Sequence, residues 1–221
     1  MNRNIAFTIF IIILFTRVNA MPVWNNENQK LPSSEFYNWI KEWISEESST
    51  LILGVLATVD EKFKPHTRTI VIKEISENGV LFFTQKCSKK VRHIKVEDQV
   101  SLTVLLSEKK RQITFRGQVK PLSNDENIKY WKTYPRESQI RFIVYGPNSG
   151  QIIADNSNLD KELAEFTKIY TESSPDKPQA YVGYRIYPDE VDFYQLNNDR
   201  ISDSFIANRE NNNWKILRVV P

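Results

Sequence analysis

In residues 33–49, SSEFYNWIKEWISEESS, the apolar positions are Phe36, Trp39, Ile40, Trp43 and Ile44. Three-and-four spacing of this kind predicts a helix with one face on the core, capped by Ser33 or Ser34. Its tryptophans read as core packing, not as a cofactor site. From residue 51 the pattern changes to short β-branched and aromatic runs punctuated by turn residues. LILGVLATVD (51–60) predicts a buried strand, DEKFKP a turn, and RTIVIKEI (68–75) the second strand of a hairpin. SENG turns into VLFFTQ (80–85), and a short helix starts near Ser88. VSLTVLL (100–106) and RQITFRGQVKPL (111–122) predict another hairpin. Residues 124–134 are helical up to Pro135, and 159–172 form a further helix. AYVGYRIYP, VDFYQL, DSFIANRE and NWKILRVVP supply a closing meander of strands. Many short strands with a few helices predict a mainly β protein, a β-barrel with helices attached.

One strand carries a puzzle. In RTIVIK (68–73), Thr69, Ile70, Val71 and Ile72 are β-branched, as in a strand covered on both faces. Yet Arg68 and Lys73 close its ends.

Composition narrows the classes. The chain has 221 residues, 40% hydrophobic and 26% charged, enough for one well-packed core. Residues 21–221 are expected to form a single domain. The net charge is +3, but Arg3 and Arg17 fall in the first twenty residues, which hold no acid. Without them 28 basic residues face 27 acidic ones, so the body is nearly neutral. That argues against a broad nucleic-acid surface. The lone cysteine, Cys87, cannot form an intramolecular disulfide. Two histidines and one cysteine give little support to a zinc site or a histidine-based triad. No glycine-rich phosphate loop occurs.

The first twenty residues pose a separate question. A short basic start, the apolar run IAFTIFIIILF (5–15) and small residues ending at Ala20 match a secretory signal peptide. The run is too short for a confident membrane span. The rival reading starts the protein at Met21.

Candidate chemistry begins at CSKKVRHIK (87–95). Ser88 is a good N-cap, which makes Lys89 and Lys90 the first helical residues. A helix N-terminus offers free N–H groups and partial positive charge, so lysines there are unfavourable unless an anion neutralises them. The competing reading is a solvated basic face running on through Arg92 and Lys95. His66 and His93 read as surface polar residues, and Cys87 as a small buried filler. Arg68, Lys73 and the pair Arg111–Gln112 add groups beside strand ends that could converge on one or two phosphates. Alternation sets Arg68 and Lys73 on opposite faces, so one could hold a cofactor phosphate and the other a substrate phosphate. Strand-end charges extended into water are the alternative. Spacing does not choose between these.

The ordered motifs do more. LATVD, RTIVIK, VLFFT, SKK, RQITFRG, YWKTYPRESQI, GYRIYP, VDFYQ and the terminal Trp214, Arg218 and Pro221 follow one another from about residue 31 to 221. In that order they resemble the pyridoxamine 5′-phosphate oxidase family, FMN flavoproteins with a split-barrel fold. The resemblance implies a homodimer with each FMN held between subunits. It implies FMN contacts from the strand Arg68, Thr69, Ile70, Val71, Ile72 and Lys73, and from Phe83, Thr84, Lys89, Lys90, Gln112 and Tyr181. Asn148 and Ser149 take the place of the family's Gln-Ser contacts if one residue is inserted in YGPNSG. Lys73, Tyr130, Ser138 and Arg200 match substrate contacts. No residue is assigned as an acid–base catalyst.

Departures fall on both halves of the site. Tyr134 replaces a phosphate-binding arginine, Ser202 a substrate-side histidine and Ser204 a flavin-binding arginine, while Tyr181 replaces a tryptophan. Serine cannot replace a bidentate guanidinium. Three expectations follow: oxidation of pyridoxine or pyridoxamine 5′-phosphate with oxygen as acceptor; a related FMN oxidoreductase with another substrate; or a non-catalytic flavin- or B6-binding relative. FMN and B6 phosphates are used in the cytosol, so the body favours a cytoplasmic protein starting at Met21. The leader's own pattern favours export.

Overall fold

The computed structural model describes residues 29–49 and 51–221. The signal-like segment 1–20 lies outside them. In chain order the elements are β1 (Gln29–Pro32), α1 (Ser33–Ser45), β2 (Leu53–Val59), β3 (Pro65–Ser76), β4 (Gly79–Gln85) and α2 (Lys89–Val96). There follow β5 (Gln99–Leu106), β6 (Arg111–Pro121), α3 (Asn124–Trp131), α4 (Arg136–Tyr145) and α5 (Ser157–Ile169). β7 (Tyr181–Gln195), β8 (Asp203–Glu210) and β9 (Asn213–Val219) complete the chain. Among the described residues no helix is long and apolar enough to cross a membrane.

The sheet runs β1-β9-β8-β7-β4-β3-β2-β5-β6, and a further β7–β6 pairing closes six antiparallel strands into a barrel. The remaining strands extend the sheet beyond β7. Closure removes edges that would otherwise present unpaired backbone. The expected split barrel with flanking helices is what the chain forms.

β7 holds the barrel together. Its first residues pair with β4, its later ones with β8, and β6 lies along nearly its whole length. The pattern predicted two strands here; the structure has one. Pro188 lacks a donor N–H, and β7 bulges beside it: Gly117 pairs with Pro188 and Arg116 with Glu190, which leaves Asp189 as the extra residue. A Cβ on Gly117 would lie 2.2 Å from the Tyr187 carbonyl oxygen, so the bulge needs glycine.

Helix α1 seals the core. Phe36 stacks on Trp214 at 4.4 Å, and the rings of Trp39 and Trp43 lie 4.4 and 5.6 Å from that of Phe193. Truncating one such ring costs about 3–5 kcal/mol. The expected serine cap is absent: Pro32 holds the cap position, and the Ser33 hydroxyl instead donates to the Asn212 carbonyl at 3.0 Å. Two elements escaped the pattern, β1 and α4. Helix α4 buries the polar Gln139, which donates to the Trp131 carbonyl at 2.7 Å, so its buried face is not a clean apolar stripe.

The expectation that residues 68–73 are covered on both faces does not hold within one chain. Ile70 and Ile72 are buried in the barrel, while Val71 is 49% exposed. Leu53 pairs with Val71 across the hairpin and is also open, as are Val55 and Leu105. β-branching here serves an apolar outer face, not burial in the monomer.

Candidate functional site

The site begins with charge. On β3, Arg68 points to the same side as Ile70 and Ile72, at the barrel mouth, where the core gives way to α2. Its Nη1 donates to the Thr58 hydroxyl at 2.6 Å and to the Leu56 carbonyl at 3.2 Å. From α2, the Lys90 ammonium donates to the Thr84 hydroxyl at 2.9 Å. The Thr84 hydroxyl lies 3.4 Å from that of Ser88. Burial lowers the Lys90 pKa, and the nearby Arg68 guanidinium lowers it further. Among the described residues neither cation has a carboxylate partner. Ser88 holds the N-cap position without capping α2 through its side chain, so the first-turn N–H groups receive no hydroxyl. Two half-buried cations and a bare helix start form a receptor for an anion. Lys89 stands exposed beside them.

The chain's two histidines join this cluster and are not plain surface groups. The His93 Nδ1 lies 3.0 Å from the Thr58 hydroxyl, and the His66 Nε2 lies 3.0 Å from an Asp60 carboxylate oxygen. Their rings are 4.6 Å apart. Sequence spacing held the clue: His66 precedes Arg68 by two on a strand, and His93 follows Lys90 by three on a helix, so each shares its neighbour's face.

The outer face of β3, β4 and β7 carries an aromatic cluster under α3 and α4. Phe83 stacks on Tyr181 at 4.9 Å and 9°, with Tyr130 and Tyr134 at 5.3 and 5.6 Å. Lys73 lies 5.0 Å over the ring of Tyr134. Burial pushes the Tyr134 hydroxyl up to about 12, and burial with Tyr134 beside it pushes Tyr181 higher still. Both phenols therefore stay neutral. Glu74 and Arg185, which sequence reading missed, anchor Tyr130: its hydroxyl donates to Glu74 at 3.0 Å, and Arg185 donates to Glu74 at 3.1 Å and to Tyr130 at 3.3 Å. Ser138 is half-buried in the first turn of α4. As alternation predicted, Arg68 and Lys73 serve opposite faces of β3.

The other predicted residues sit apart from these. Gln112 is directly opposite Tyr194, which is opposite Ser204, so the three lie side by side across β6, β7 and β8. Arg200 donates to the buried Asp203 at 2.9 and 2.5 Å, and Arg218 binds the same carboxylate at 2.6 Å. Asn148 and Ser149 line an open cavity of about 430 Å3 with Gln85 and the start of α5. Thr69 is exposed, whereas Ile70 and Ile72 are core and have only backbone to offer a ligand.

Two readings need correction. Arg111 does not converge on an anion: it is buried, pairs with Glu46 at 3.0 Å and lies 4.5 Å over Trp43. Cys87 is exposed and donates to the Gly146 carbonyl, where a buried filler was expected.

Comparison with known proteins identifies the scaffold. The profile described as pyridoxamine 5′-phosphate oxidase matches residues 40–190. The chain belongs to this family. A second profile, the pyridoxine 5′-phosphate oxidase C-terminal dimerisation region, matches residues 181–221. The pyridoxine/pyridoxamine 5′-phosphate oxidase of Vibrio cholerae serotype O1 (strain M66-2) is 30% identical over 87% of this chain and 90% of its own length. That of Legionella pneumophila (strain Paris) is 30% identical over 86% and 87%. Among solved structures, PhzG from Burkholderia lata 383, in complex with tetrahydrophenazine-1-carboxylic acid, superposes with a TM-score of 0.75 at 25% identity. It covers 86% of this chain and 94% of PhzG. A pyridoxamine 5′-phosphate oxidase-related, FMN binding protein from Nostoc punctiforme PCC 73102 shares the fold, with a TM-score of 0.68 at 17% identity over 84% of this chain and 97% of its own.

Proposed function

We propose that this protein is an FMN-dependent oxidase that converts pyridoxine or pyridoxamine 5′-phosphate to pyridoxal 5′-phosphate. The observation that carries the reading is the pairing of Arg68 and Lys90 without an acid, beside an uncapped helix start. Two like charges held together call for an anion, and the phosphate of FMN fits the donors present. Arg68, Thr84, Lys89 and Lys90 would take that phosphate. The strand 69–72, with Phe83, would border the ring.

FMN, when bound, supplies the two-electron acceptor for the hydride leaving the substrate C4′ carbon, and oxygen carries the electrons on as peroxide. The protein's part is placement. Lys73 offers its ammonium to the substrate phosphate, and the Tyr130 hydroxyl, oriented by Glu74 and Arg185, sets one edge of the pocket. Ser138 adds a hydroxyl from α4. Gln112, Asn148, Ser149 and Arg200 lie away from these groups, so they would act on the site of a second copy in a homodimer. The apolar outer strip at Leu53, Val55, Val71 and Leu105 gives a second copy something to cover. A cytoplasmic protein starting at Met21 fits this chemistry, and the mass of the cellular protein tests it.

A second reading rests on Tyr134. A neutral phenol where the family motif has an arginine weakens phosphate recognition, and favours a substrate that is planar and less phosphorylated. PhzG, a similar protein, was crystallised with a tricyclic carboxylic acid. Flavin absorbance of the purified protein and peroxide release with pyridoxamine 5′-phosphate separate the readings. Flavin with peroxide supports the first, flavin without turnover the second. A colourless protein that refuses added FMN removes both.

A further inference from the structure

The histidine pair beside the anion receptor has no role in the function proposed above. Its geometry assigns it one. The Thr58 hydroxyl accepts from Arg68 at 2.6 Å, so its own proton is free to go to the His93 Nδ1, 3.0 Å away. That chain suits a neutral imidazole with Nδ1 unprotonated. Protonating His93 turns Nδ1 into a donor, and the threonine must then accept from both neighbours.

The charges around His93 can be named from each element. Arg68 and His66 face it from β3, Arg92 from its own helix, and Asp60 from the β2–β3 turn. Burial, with His66, Arg68 and Arg92 nearby, holds the His93 pKa down, and Asp60 alone among these opposes them. Asp60 is already committed: the hydrogen bond from His66, with backbone N–H groups of Lys64 and Lys62, keeps its carboxyl ionised down to about 2. Asp60 is therefore the one negative charge among these groups that meets an added cation at His93, and a bound anion would add a second.

We propose that His93 is a titratable positioning residue for the anion receptor: through Thr58 it orients Arg68, and in its protonated form it strengthens the hold on the FMN phosphate. By linkage, a bound phosphate must then raise the proton affinity of His93 to the same extent. The inference rests on the FMN reading, and the test separates the two.

The experiment measures FMN dissociation constants for the full-length protein and the H93Q variant between pH 5.5 and 8. The FMN phosphate itself titrates near pH 6, but this affects both proteins alike and cancels in their ratio. Because the glutamine oxygen can accept the Thr58 proton as the neutral imidazole does, the ratio of H93Q to wild-type Kd is expected to stay near 1 at pH 8 and to rise to roughly three- to tenfold at pH 5.5. Riboflavin, which lacks the phosphate, should show no such rise. Because the chain has only two histidines, imidazole NMR reads the same linkage without a variant: FMN should shift the His93 titration upward, and riboflavin should not. FMN bound with a flat ratio and an unmoved His93 overturns the role of His93 alone. Failure to bind FMN at any pH overturns both readings.

Discussion

The ammonium of Lys73 lies 5.0 Å over the ring of Tyr134. A cation is thus held by the face of a neutral phenol, at the position where related oxidases are expected to carry a guanidinium. The contact steadies Lys73 but supplies no second charge for a phosphate.

Restoring that charge tests which substrate the pocket takes. If the substrate is a B6 phosphate, Tyr134→Arg should lower KM for pyridoxamine 5′-phosphate by about tenfold or more, in line with ~1.5–3 kcal/mol for a charge-assisted hydrogen bond. Steady-state peroxide assays give the answer. An unchanged KM, with flavin still bound, points to the planar, less phosphorylated substrate.

Lys90 should behave as a binding group and not as a structural one. Its charge is half-buried beside Arg68 with no acid to offset it, so Lys90→Met relieves repulsion while losing one hydrogen bond to Thr84. The flavin-free variant should melt within about 1 kcal/mol of the parent, or higher. Its FMN affinity should fall by about 10- to 100-fold. Calorimetry and a flavin titration check the two halves separately, and a large loss of stability would make Lys90 part of the scaffold.

Arg111 should show the opposite pattern. It is 5% exposed and bound to Glu46, so Arg111→Met leaves that carboxylate only the longer contact to Lys109 at 4.0 Å, a change that typically costs about 3 kcal/mol. FMN content per folded molecule should not change. Denaturant unfolding and flavin absorbance distinguish this from a role in anion binding.

The contrast between these two basic residues shows how far the amino-acid pattern could be read. Period-two and three-and-four spacing located most strands and helices, because each has one apolar face. It failed at α4, where a buried glutamine donates to a carbonyl from the packed face, and at β7, where a bulge at Asp189 lets one strand run on past Pro188. Alternation placed Arg68 and Lys73 on opposite faces correctly. It could not tell that Arg111 turns inward to Glu46, because that partner is 65 residues away in the chain and its proximity is set by the barrel. Glu74 and Arg185 were invisible for the same reason. The family motifs marked Tyr130 but not the carboxylate that orients it.

Glu74 supplies a pH-dependent test of that orientation. Burial opposes its ionisation, but hydrogen bonds from Ser76, Arg185 and Tyr130 prevail and hold its carboxyl below the usual range. A depressed carboxylate contributes stability that is complete above the unfolded-state value near 4.5 and drains away as pH falls through the lower folded-state value. Glu74→Gln removes the charge while keeping an acceptor. At pH 7 the variant should be less stable by about 1 kcal/mol, a figure kept small because the group is partly solvated. The gap between the two proteins should close below pH 4, as the wild-type carboxyl also becomes neutral. Thermal melts from pH 3 to 7 measure it. A constant gap would mean that Glu74 acts through packing alone, and that the Tyr130 hydroxyl is set in place by Arg185 without help from the carboxylate.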